Sequence, residues 1–86
     1  MQKLKVTNDR ADFVTLWLEH WGEDYGMMPG DGFEVVAADA GEGFYFHLVS
    51  EEKGLRVYAE GGTRQISVHH KGAELPCGHN RREDAW

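Results

Sequence analysis

Cysteine occurs once (Cys77) and proline twice in these 86 residues, and residues 11–52 contain no lysine or arginine at all. A lone cysteine excludes an internal disulfide, so the fold must rest on noncovalent packing, and it suits a reducing compartment. No apolar run approaches the roughly 20 residues that span a bilayer. The opening Met1-Gln2-Lys3-Leu4-Lys5-Val6 lacks the apolar stretch of a secretory signal. Together these absences place the chain in the cytoplasm with no membrane partner. Catalytic motifs are missing as well: there is no P-loop, no twelve-residue EF-hand loop, no paired acids and no Ser/His/Asp series. The reading is therefore a non-enzymatic protein with no cofactor.

What fills the gap left by basic residues is acid. Residues 11–52 hold ten carboxylates, the nine basic residues all lie outside that stretch, and the formal net charge is −6. Such a surface repels phosphate backbones, which excludes direct nucleic-acid binding. The same field would steer a basic protein partner toward the middle of the chain, with Glu19, Glu23, Asp24 and Asp31 leading the contact.

The pattern of apolar residues predicts an α+β fold of one domain over residues 1–76, with residues 77–86 as a polar, mobile tail. Leu4 and Val6 alternate with Lys3 and Lys5 as a short strand whose lysines protect a sheet edge. Asn8 or Asp9 then caps a helix whose apolar stripe is Val14, Trp17, Leu18, Trp21 and Tyr25, ending at Gly26. Pro29-Gly30 supplies the two central residues of a type II turn. Beyond it, residues 33–38, 44–50, 55–59 and 64–70 read as strands separated by glycine turns, an antiparallel meander of four or five strands. A last turn at residues 70–73 leads into a short strand before Pro76.

Period-two bookkeeping divides these strands into two faces. Phe33, Val35, Ala37, Phe44, Phe46, Leu48, Leu55, Val57, Ala59, Ile66 and Val68 form the apolar face that the helix should cover. A four-residue turn at residues 51–54 sets His47 opposite Tyr58 and Val49 opposite Arg56. Tyr45, His47, Arg56 and Tyr58, with Ser67 and His69 one strand further, then make an outward patch too aromatic for plain solvent. Trp86, after four consecutive charges, is a candidate anchor.

These features point to a small acidic interaction module, most economically a homodimer, because a short chain gains from burying a half-apolar outer face. The competing reading is a ligand-binding or catalytic domain that uses the Tyr/His/Arg patch, or a metal site at His69, Cys77 and His79. That metal reading is weak. Adjacent strand residues point to opposite faces, and Cys-x-His lacks the usual second ligand pair.

Overall fold

A computed structural model describes residues 1–82. Eight strands follow one another: β1 (Gln2–Thr7), β2 (Val14–Glu19), β3 (Glu23–Met27), β4 (Gly32–Ala37), β5 (Tyr45–Glu51), β6 (Gly54–Glu60), β7 (Ile66–His70) and β8 (Ala73–Glu74). They form two four-stranded sheets, ordered β1-β4-β7-β8 and β3-β2-β6-β5. The radius of gyration, 12.3 Å, is close to the ~12 Å expected of a single compact body of this length.

The expected helix over residues 9–25 is instead the β2–β3 hairpin, and the fold is all-β rather than α+β. Five consecutive residues, Val14, Thr15, Leu16, Trp17 and Leu18, are buried, so β2 is covered on both faces. A strand buried on both sides reads as a continuous run and loses the alternation that would reveal it. The bend lies at His20 and Gly22, with φ of 76° and 66°, a conformation no helix interior accommodates.

The single meander is replaced by two layers. β4 and β5 are not paired; residues 38–44 carry the chain from one sheet to the other, and residues 61–65 carry it back. β2 runs parallel to β6, which joins two hairpins into one sheet. That pairing begins where a Cβ on Gly54 would lie 1.8 Å from the Thr15 carbonyl oxygen, so the strands approach this closely only over glycine. The expected apolar set does turn inward, against the other sheet. Phe33, Val35, Val57 and Val68 of that set are fully enclosed between the layers together with Leu16 and Leu18 of β2, while Leu48 of the set stays 45% exposed.

Polar clips hold the ends of the sandwich. Asn8, only 3% exposed, donates through Nδ2 to the carbonyls of Asp12 (2.9 Å) and Met27 (3.1 Å). Its Oδ1 accepts the Arg10 N–H (3.0 Å), and its backbone exchanges hydrogen bonds with the 29–32 turn. That turn closes with the Asp31 N–H donating to the Met28 carbonyl and with Gly30 at φ 88°, as Pro29-Gly30 requires.

Residues 77–82 lie along the free edge of β3. The Gly78 N–H donates to the Asp24 carbonyl (2.8 Å), and the Gly26 N–H donates to the His79 carbonyl (2.6 Å). A Cβ on Gly26 would strike Phe13 and the Asn80 carbonyl at 2.5 Å, so this seam also needs glycine. The opposite side of the sandwich is different: no described strand pairs with the outer edge of β1 or of β5.

Replacing Asn8 with alanine removes three side-chain hydrogen bonds from a buried junction. Asn8→Ala should cost about 2–3 kcal/mol of stability, read as a lower urea midpoint with an unchanged slope.

Candidate functional site

Three strands deliver side chains to the outer face of the second sheet. In the β2–β6 register Trp17 lies beside Arg56 and Glu19 beside Tyr58. In the β5–β6 register His47 faces Tyr58, Val49 faces Arg56 and Tyr45 faces Glu60, the first two pairs as the turn arithmetic requires. The rings of His47 and Tyr58 stack at 5.4 Å with 30° between planes. His20 meets the other side of Tyr58 edge-on at 5.7 Å, and its Nε2 is 2.7 Å from Glu60 Oε1. The result is a continuous row, His20–Tyr58–His47, with Tyr45 at its border and 58% exposed.

Beside the row, the Arg56 guanidinium lies 4.5 Å above the Trp17 ring and donates to both Glu19 and Glu51. The hydrogen bond to Glu19, with a further one to Glu51, raises the Arg56 pKa against the opposing pull of desolvation. A carboxylate on either side and an indole beneath fix the guanidinium plane. Arg56 is therefore a spacer in the face rather than a free hook for a partner.

Ser67 and His69 are not part of this face. They sit on β7 in the first sheet, opposite Val36 and Glu34, with Ser67 Oγ 2.8 Å from His69 Nε2. The patch inferred from strand alternation thus splits between two outer faces, because alternation fixes which side of a strand a residue occupies but not which sheet the strand joins. Trp86 lies outside the described residues.

The acidic candidates are engaged internally. Glu19 is tied to Arg56, and Glu23 accepts the Tyr25 hydroxyl at 2.8 Å. Burial, followed by that hydrogen bond, pushes the Tyr25 phenol up from its ordinary range. Asp24 is 2% exposed and receives the Arg81 guanidinium at 2.9 and 2.6 Å. That contact raises the Arg81 pKa and pins the 77–82 segment to β3. Asp31 accepts the Met28 N–H at 2.9 Å.

The metal candidates are apart. His69 faces outward on the first sheet, His79 packs edge-on against Phe33 at 5.8 Å, and Cys77 is exposed beside Asp24 and Arg81. Among the described residues no group of three or more His, Cys, Asp or Glu could hold a metal ion. His20 is the contributor that sequence reasoning missed, since a helix assignment hid the turn that aims it at Tyr58. Its signal was Gly22 shortly after the β-forming run at residues 14–17.

Asp39 shapes the crossing at the far end of this sheet. It accepts the Thr63 hydroxyl and the N–H groups of Arg64 (3.0 Å) and Gln65 (3.2 Å). The Thr63 bond, then the backbone bond from Arg64, holds the carboxyl below the usual carboxylate range.

The class these features define is a two-layer β-sandwich of eight strands with a polar aromatic face and open outer edges at β1 and β5. No protein-family model, curated protein or solved structure matches the chain. No described helix is long and apolar enough to cross a membrane.

Two outcomes test the site. Arg56→Met leaves Glu19 and Glu51 without their shared cation at a partly exposed position, and should cost about 1 kcal/mol, less in 1 M salt, by chemical unfolding. Asp39 carries a folded-state pKa below its unfolded value, so its stabilisation is present above the usual carboxylate pKa and disappears as pH falls through the folded one. Asp39→Asn should accordingly flatten the acid limb of stability against pH, measured by thermal melts between about pH 5 and 2.

Proposed function

We propose that this protein is a non-catalytic interaction module that self-associates through β5, pairing that strand with β5 of a second copy. The observation that carries the reading is the contrast between the two open edges. β1 carries Lys3 and Lys5, charges that discourage a further strand from adding. β5, Tyr-Phe-His-Leu-Val-Ser-Glu, has no lysine and no proline, and its one formal charge is at its end. Two of the four exposed large apolar side chains among the described residues, Tyr45 at 58% and Leu48 at 45%, are on this strand.

A second copy suits the edge chemically. Antiparallel pairing centred on Leu48 sets Tyr45 against Glu51 and His47 against Val49, so no like charges face one another. Two four-stranded sheets then continue as one, and the His20–Tyr58–His47 row of each copy extends across the seam. A basic protein partner is less favoured, because Glu19, Glu23 and Asp24 already hold internal partners. The single exposed thiol, Cys77, suits a reducing compartment such as the cytoplasm.

Sedimentation equilibrium at tens of micromolar should give the mass of two chains. Leu48→Lys should weaken dimerisation by about 30-fold or more while the far-ultraviolet spectrum stays unchanged. A wild-type mass of one chain at that concentration would remove the proposal.

A further inference from the structure

The chain is strongly acidic, yet one cavity is walled by two lysines that have no ion-pair partner among the described residues. It measures about 470 Å³ and lies between Lys5 and Thr7 of β1, the turn at residues 29–32, and His70 and Lys71 where β7 ends. Lys3 is paired with Glu34 at 3.8 Å, whereas among the described residues no carboxylate lies within that range of Lys5 or Lys71. Two ammonium groups at one concavity, against the single Asp31 carboxylate among its described lining residues, raise the local potential for an anion above what the net charge of −6 would allow on average.

The geometry is directional. A Cβ added to Gly32 would lie 3.6 Å from Lys5 Nζ and 3.6 Å from Thr7 Oγ1, and 3.2 Å from Lys5 Cε. An ammonium and a hydroxyl therefore converge on the space that any other residue at position 32 would occupy. Asp31 is the one acid among the described lining residues, and its carboxylate is engaged by its own turn and by His70. Its Oδ2 accepts the Met28 N–H at 2.9 Å, and its Oδ1 lies 3.9 Å from His70 Nε2.

We infer that this cavity binds the phosphoryl group of a small phosphate-bearing molecule, with Lys5, Thr7 and Lys71 as its donors. Two point charges and a hydroxyl suit a compact dianion. A cation would meet two ammonium groups, and a long polyanion would meet the acidic remainder of the surface. The volume is in the range of small-molecule sites and leaves room beyond a phosphoryl group for an organic portion. The site is built from β1, the 29–32 turn and the β7–β8 turn, so no local phosphate motif announces it.

Amide chemical-shift titration of the full chain with inorganic phosphate, at ionic strength held constant with sodium chloride, tests this. Saturable shifts should centre on Thr7, Gly32 and Lys71. Lys5→Met and Lys71→Met should each weaken binding about tenfold, and Gly32→Ala should weaken it several-fold by displacing Lys5, with all three variants keeping the wild-type spectrum elsewhere. The Leu48→Lys variant should bind phosphate as the wild type does, which separates this site from the β5 edge. Glycerol phosphate as a second probe distinguishes sources: tighter binding than phosphate assigns the site to a phosphate ester, and equal binding assigns it to the free ion. Shifts that rise linearly without saturating, or phosphate affinity unchanged by both lysine substitutions, would overturn the inference.

Discussion

Backbone amides and carbonyls at the rim of a sheet must be paired, covered or left to water, and two four-stranded layers present four such rims. This chain treats its two sides differently. On one side residues 77–82 run along β3, exchange backbone hydrogen bonds with it, and are held there by the Arg81–Asp24 pair. On the other side β1 and β5 both end their sheets, one guarded by lysines and one not. The buried Asp24 carboxylate is what makes the first closure specific. Without Arg81 it would be an uncompensated charge inside the fold, so residues 77–82 are bound by an electrostatic requirement as well as by backbone pairing.

This asymmetry links structure to the proposed role. The polar aromatic face on β2, β5 and β6 abuts the unguarded edge, so any strand added to β5 would extend a surface already organised by ring stacking and by the Arg56 clamp. Lys5, by contrast, guards the β1 edge and also walls the cavity at the 29–32 turn. The edge that resists another strand is therefore the one equipped to attract an anion.

Much of this arrangement was legible from residues alone, and the failures have identifiable causes. Alternation in residues 33–38, 44–50, 55–59 and 64–70 located four strands to within two residues of their observed ends, and the 51–54 turn fixed the His47–Tyr58 pair. Pro29-Gly30 announced its turn. The segment from Val14 to Tyr25 misled because its apolar residues satisfy a spacing of three and four, while Leu16, which falls off that stripe, is fully buried. Gly22 argued against a helix, costing about 1 kcal/mol in a helix interior, and valine, threonine and tryptophan favour strands. What no local pattern could show is partnership at a distance. The parallel β2–β6 register and the docking of residues 77–82 along β3 join segments far apart in sequence, and the first of them brings His20 rather than His69 to Tyr58.

The central claim is that β5 finds a strand partner in solution, and amide hydrogen exchange at residues 45–51, followed as a function of protein concentration, tests it most directly. Pairing with a second copy predicts that the amides of β5 not bonded to β6 exchange slowly at high concentration and progressively faster on dilution. Fast exchange at those amides, independent of concentration, would contradict the account.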